Sequence, residues 1–172
     1  MKEKIKVITV STEVELKICF NIRKKVFIIE QKVPRELEVD EYEKESTHFL
    51  AFYKNTPAAT GRFRIFQSFL KFERIATLKS ERGKGIGLAL MQKMQKIGIE
   101  KYPTYLQFAN AQKDSIKFYQ KLGWQAVGDF FIEANIPHQV VVFIPKDRKM
   151  FENLKCLKDE KCPKIIKDCL KL

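Results

Sequence analysis

Arg82-Gly83-Lys84-Gly85-Ile86-Gly87 is the stretch of this chain best suited to chemistry. An extended segment, 70–78, precedes it. An amphipathic helix follows, apolar at Ile86, Ala89, Leu90, Met94 and Ile97. A glycine-rich turn that opens a helix presents bare backbone N–H groups at the positive end of the helix dipole, an arrangement suited to a phosphate or pyrophosphate. Arg82 and Lys84 add charge at the same place. The Walker A pattern is absent, and the glycines read G-x-G-x-G rather than the dinucleotide G-x-G-x-x-G. Taken alone, the stretch also fits a flexible turn before a core helix.

Other residues carry weaker signals. Arg62 and Arg64 alternate on one extended segment and so share a face. Two guanidiniums side by side suit a phosphate or carboxylate, or a partner in the acidic segment Glu36, Glu38, Asp40, Glu41, Glu43 and Glu45. His138 follows a proline, and Glu30 follows Val26-Phe27-Ile28-Ile29, where it could end a helix. Cys19, Cys156, Cys162 and Cys169 have no zinc spacing, and His48 and His138 lie far from them in sequence. Free thiols in a reducing compartment, and no metal, are expected.

These residues need a scaffold, and the composition allows one. The chain has 172 residues, 45% hydrophobic and 12% aromatic, enough for one domain with a core. No apolar run reaches membrane-spanning length, and the N-terminus lacks the apolar stretch of a secretory signal. A soluble, cytoplasmic protein without a membrane partner is expected. The net charge of +12 is spread along the chain without the aromatic-interleaved pattern of an RNA-binding sheet. Nucleic acid is therefore not the expected partner.

Residues 4–10 read as a strand. Thr12-Glu13-Val14-Glu15 has capping-box spacing, and Val14, Ile18, Ile22 and Val26 predict a helix to about Phe27. Strands are predicted at 48–53, 59–66, 70–78 and 105–109, a short helix at 114–122 ended by Gly123, and a strand pair at 125–132 and 138–144. In 70–78 the apolar phase slips by one residue between Phe72 and Ile75, as a β-bulge would produce. The tail has apolar spacing for two short helices, at Met150, Phe151, Leu154 and Leu157 and at Ile165, Ile166, Cys169 and Leu170.

This order of elements resembles the GNAT acetyltransferase superfamily over roughly residues 5–144. The sharpest anchors are Arg82-Gly83-Lys84-Gly85-Ile86-Gly87, which looks like the family's R-x-x-G-x-G loop, and residues 115–124, SIKFYQKLGW, which look like its FY-x-K-x-G-F segment with Trp124 in place of Phe. Residues 26–34, VFIIEQKVP, 61–64, GRFR, and 133–138, EANIPH, resemble a subgroup of small enzymes. The resemblance implies an α/β (α+β) fold: a mixed sheet of six to seven strands, the fourth bulged and splayed from the fifth, with helices on both faces. It implies a GNAT domain over 1–145 and a lysine-rich helical tail over 146–172.

It also implies acetyl-CoA as co-substrate. The amides of Gly83, Lys84, Gly85, Ile86 and Gly87, with Arg82, would hold its pyrophosphate. Ala76, Thr77 and Leu78 would offer backbone groups to the pantetheine arm, the Ala76 N–H would meet the oxyanion, and Asn110 would face the cofactor. An alkyl amine, with a pKa of about 10, is mostly protonated at neutral pH, so a base or a water relay must take a proton. By resemblance Glu73 is the expected base and Tyr119 the expected acid, with Glu30, Glu133 and His138 lining the acceptor pocket and Arg62 and Arg64 binding a phosphate. The expected activity is N-acetylation of a small primary amine, foremost an amino-sugar phosphate such as glucosamine 6-phosphate. A polyamine or protein lysine is the rival acceptor, and a non-catalytic acyl-CoA sensor the rival function. A homodimer is expected by resemblance only.

Overall fold

The computed structural model describes residues 4–170. The outermost residues of the two segments expected from the sequence, 1–3 and 171–172, lie outside the described residues. The strands are β1 Ile5–Thr9, β2 Thr47–Tyr53, β3 Thr56–Phe66, β4 Phe69–Thr77, β5 Leu106–Gln112, β6 Trp124–Glu133 and β7 Ile136–Phe143. The helices are α1 Glu13–Arg23, α2 Arg35–Glu38, α3 Ile86–Lys101, α4 Ile116–Lys121, α5 Arg148–Glu152, α6 Lys155–Lys158 and α7 Lys164–Leu170. The seven strands form one sheet in the order β1-β2-β3-β4-β5-β7-β6. The β4–β5 pair is parallel; β1–β2, β2–β3, β5–β7 and β6–β7 are antiparallel. This is the mixed sheet that the resemblance implied. Among the described residues no helix is long and apolar enough to cross a membrane, and no His/Cys/Asp/Glu cluster could hold a metal ion.

The chain divides into two compact units. One comprises the residues up to Arg64 together with Glu73–Met94; the other comprises Ile65–Phe72 together with the chain from Gln95 onward.

In the first unit, the predicted capping box is present at α1. Thr12 Oγ1 accepts the Glu15 N–H at 3.2 Å, while Glu15 Oε2 accepts the Ser11 and Thr12 N–H groups at 2.8 and 3.1 Å. The helix does not stop near Phe27. After Arg23 it widens into a π-helical run, Lys24–Glu30. A strict four-residue apolar spacing drifts around a helix of 3.6 residues per turn, and Val14, at its start, is 68% exposed. Cys19, Ile22 and Val26 are the members that reach the core, with Leu50 and Ala76. The phase slip in β4 is real: Arg74 takes φ 56°, outside the strand region, between Phe72 and Ile75.

The second unit is apolar. Phe69, Leu106, Phe108, Val127 and Val142 form one cluster with Leu154, Cys156, Cys162, Ile166 and Leu170 of the tail. The tail folds as three short helices rather than two, because the buried Leu154 is the N-cap of α6 instead of continuing α5. Polar ties secure it: Ser68 Oγ donates to Asp159 Oδ2 at 2.7 Å, the Lys155 N–H donates to the Thr104 carbonyl at 2.8 Å, and Lys155 Nζ donates to the Tyr105 hydroxyl at 2.7 Å. All four cysteines are free thiols.

Candidate active site

The first unit contains the glycine turn and most of the charged residues singled out in the sequence. Gly83 and Gly85 have φ of +77° and +81°, a region closed to most side chains. A Cβ added at Gly83 would meet nothing within 4 Å, so the backbone there is open to approach. The first helical bond of α3 runs from Ala89 N–H to the Gly85 carbonyl at 3.0 Å. The N–H groups of Ile86, Gly87 and Leu88 precede it and have no acceptor within the helix. The turn therefore opens α3 with backbone N–H groups that the helix leaves unpaired.

The side chains of that turn are engaged. Arg82 Nη1 and Nη2 donate to the two carboxylate oxygens of Glu30 at 2.6 and 2.7 Å, and Nε donates to the Thr77 carbonyl at 3.1 Å. Lys84 Nζ donates to Glu81 Oε2 at 2.9 Å and lies 5.2 Å from the Tyr53 ring centroid. Glu30 thus meets the turn, a placement its sequence position did not reveal. Leu78 corrects another expectation. Its N–H donates to the Ala58 carbonyl at 2.9 Å and so is taken by the fold, while its carbonyl accepts the Glu81 N–H at 2.9 Å and keeps a second lone pair. Ala76 is buried in the core. A cavity of about 490 Å³ adjoins this region, lined by Lys25, Val26, Glu30, Leu78, Lys79 and Ser80. Its size lies in the range of small-molecule sites.

Arg62 and Arg64 also correct an expectation. Arg62 is fully buried. Its Nε donates to Glu73 Oε2 at 3.2 Å, Nη1 to Asp40 Oδ1 at 2.9 Å, and Nη2 to Asp40 Oδ2 at 2.6 Å and Glu73 Oε2 at 2.9 Å, while Nη1 also forms an ion pair with Glu43 Oε2 at 2.8 Å. A guanidinium has five N–H donors; four of them are held in these hydrogen bonds, and the group is closed to solvent and ringed by three carboxylates, which leaves no room for a phosphate. Arg64 donates from Nε to Glu73 Oε2 at 3.2 Å, pairs with Glu45 at 3.6 Å and lies over the Tyr42 ring at 3.8 Å. The network extends through Arg23, paired with Glu38 and Glu43, and Arg74, paired with Asp40 at 3.0 Å. Partial burial raises the Asp40 and Glu43 carboxyls, but hydrogen bonds and charge from Arg62 and Arg23 outweigh it and both end below the ordinary value. Burial lowers the His48 imidazole, whose Nε2 lies 2.9 Å from the Glu43 carbonyl oxygen. Glu73, the expected base, receives three N–H donors on Oε2, one more than that oxygen's lone pairs.

The second unit contains Asn110, Tyr119, Glu133 and His138. Tyr119 is 6% exposed, its ring edge-on to Phe118 at 5.5 Å and to Trp124 at 5.4 Å. Burial raises its phenol, which keeps its proton at neutral pH. Asn110 Nδ2 donates to Glu133 Oε2 at 3.3 Å, joining two residues that the resemblance assigned separately. His138 is buried, with Nδ1 2.8 Å from the Ile136 carbonyl oxygen and its ring stacked on Phe131 at 6.0 Å.

Comparison with known proteins follows the same lines. The model of the acetyltransferase (GNAT) family matches residues 16–124. The uncharacterized N-acetyltransferase YjcF of Bacillus subtilis (strain 168) is 36% identical over 135 residues, covering 78% of this chain and 96% of that protein. The crystal structure of Escherichia coli ElaA superposes with a TM-score of 0.73 at 21% identity, over 81% of this chain and 99% of that one. A GNAT family acetyltransferase from Elizabethkingia anophelis with acetyl-CoA bound gives a TM-score of 0.60 at 16% identity, over 82% and 96% of the two chains. The last two likenesses concern the fold.

Proposed function

This chain belongs to the GNAT acetyltransferase family, and from that premise we propose that it moves the acetyl group of acetyl-CoA to the primary amine of a small molecule by direct attack. It is an acyltransferase, with acetyl-CoA as its co-substrate. The observation that carries the reading is the turn at 83–87, where two left-handed glycines and the first amides of α3 form an open anion cradle.

In this reading the amine nitrogen attacks the thioester carbonyl carbon, the C–S bond breaks, and Tyr119 gives its hydroxyl proton to the leaving thiolate. Tyr119 is assigned that role by the resemblance of residues 115–124 to the family segment; its phenol is protonated at neutral pH with or without burial, and burial by itself makes it a weaker acid. The Ala76 N–H is assigned to the oxyanion. Glu73 serves as the counter-charge of Arg62 and Arg64, and the proton of the incoming ammonium leaves through a water relay. Glu133, exposed and bonded to Asn110, is the carboxylate assigned to meet that ammonium.

The amino-sugar phosphate inferred from the sequence rested on Glu73 as base and on Arg62 and Arg64, and the pairing of all three with one another and with Asp40 removes its support. The polyamine or protein-lysine reading rested on the acidic segment, whose Glu38, Asp40 and Glu43 are likewise paired. What stays is an amine met by Glu133, with neither the arginines nor the paired acidic residues in the acceptor site. CoA release should be measured with acetyl-CoA and glucosamine, glucosamine 6-phosphate, spermidine and a lysine peptide. Turnover is expected, with glucosamine at least as good as its phosphate. A preference of more than about tenfold for the phosphate ester, worth about 1.4 kcal/mol, would return the arginines to the acceptor site. Acetyl-CoA binding with silence across a broad amine panel would favour the sensor reading.

A further inference from the structure

We propose that Glu30 is a positioning residue for the acetyl-CoA turn: its carboxylate grips Arg82, fixes the 82–87 backbone in its receptive shape, and does not hold the acceptor amine. The inference rests on the assignment of that turn to acetyl-CoA.

Three acceptors seize Arg82 from two directions. Glu30 takes both terminal nitrogens in a bidentate fork at 2.6 and 2.7 Å, and the Thr77 carbonyl takes Nε at 3.1 Å. A forked pair of this kind fixes orientation as well as distance. Glu30 is the last residue of the π-helical run, Thr77 is the last residue of β4, and Arg82 stands immediately before Gly83. The guanidinium therefore ties the end of a helix and the end of a strand to the first residue of the glycine turn. Gly83 and Gly85 lack side chains that could restrict their own backbone, and glycine loses the most conformational freedom on ordering. A tie at the entrance to the turn reduces the freedom that ligand binding would otherwise have to remove.

Charge points the same way. Arg82 pairs with Glu30 and Lys84 with Glu81, so each cation of the turn has a carboxylate partner inside the same unit. Recognition of the pyrophosphate then falls to backbone amides, whose geometry the tie maintains. Arg82 lowers the Glu30 carboxyl, with a smaller contribution from Lys79, so the fork persists at neutral pH.

The test is calorimetric binding of acetyl-CoA to the full chain, combined with steady-state kinetics on an accepted amine. Glu30→Ala should weaken acetyl-CoA binding by about tenfold or more, the loss expected of a charge-assisted pair, and leave the acceptor KM within about twofold. Glu30→Arg combined with Arg82→Glu should recover most of that loss, which a merely disrupted fold would not allow; thermal melts confirm folding of each variant. Tighter acetyl-CoA binding in Glu30→Ala would overturn the proposal, since Arg82 would then be a phosphate ligand for which Glu30 competes. A raised acceptor KM with unchanged acetyl-CoA affinity would overturn it in favour of the acceptor-pocket role. If the unaltered protein bound no acetyl-CoA, the underlying assignment of the turn would fall first.

Discussion

The two units are held together by different forces. The first is organised by arginine–carboxylate pairs, with the buried Arg23, Arg62 and Arg64 and the half-buried Arg74 locked to Glu38, Asp40, Glu43 and Glu73. The second is organised by apolar contact, with Phe66, Phe69 and Phe108 in one aromatic group and Phe72, Tyr119, Trp124 and Phe143 in another, and the tail laid over the cluster. Ion pairs are directional and fix where a group points, whereas burial of hydrocarbon fixes only that it is inside. The glycine turn belongs to the directional unit, and Tyr119 to the aromatic one.

The sharpest way to break this contrast is Arg62→Ala. It removes a fully buried side chain and the cation shared by Asp40, Glu43 and Glu73, leaving them to Arg74, Arg23 and Arg64 respectively, and should destabilise the protein by roughly 3–5 kcal/mol in urea denaturation. A loss below about 1 kcal/mol would mean that the network is ornamental. Next in size, Leu154→Ala should cost roughly 2–5 kcal/mol, because a fully buried side chain would leave a cavity under the tail. If that variant melted like the parent, the tail would be an appendage and not part of the core. Tyr119→Phe should lower kcat by about a hundredfold with acetyl-CoA affinity intact, a separation of chemistry from stability seen by comparing rates with binding. Gly85→Ala forces a side chain into a left-handed backbone at a cost of roughly 1–2 kcal/mol, and it should weaken acetyl-CoA binding more than it lowers the melting temperature.

The gentlest probe is pH. His48, Asp40 and Glu43 are all depressed in the folded state, so their contribution is full above their unfolded values and fades as pH falls. That fading begins near 6.5 for the histidine and about 4 for the acids. Burial, with Cys162 beside it, pushes the Cys156 thiol up to about 12 from 9.0, so its contribution is full below 9.0 and is lost as pH rises toward 12. Hydrogen exchange followed by mass spectrometry should therefore quicken first around Asp40 and His48 in acid and around Cys156 in alkali. Exchange that quickened evenly in both would erase the distinction.

Local signals were legible in the sequence. The capping box needed only Thr12 and Glu15, three residues apart, and the bulge announced itself as the misphased Ile75. The glycine turn was equally local. What could not be read were the partners of the charges. Arg62 and Arg64 visibly shared a face, but the identity of the group opposite depended on a fold that brings Asp40 within 2.6 Å across 22 positions. Glu30 reached Arg82 across 52 positions for the same reason. The third tail helix was missed because spacing alone does not show that Leu154 interrupts one helix and begins another.

Arg62 also offers a spectroscopic handle. Four of its guanidinium protons are held in hydrogen bonds, and the group is closed to solvent. Guanidinium protons on a protein surface trade with water too quickly to follow at neutral pH. Those of Arg62 should persist as slow-exchanging, individually resolved nitrogen–proton signals. Their loss would report the opening of the charged unit in real time, at a single side chain and without an added label on any residue that touches substrate.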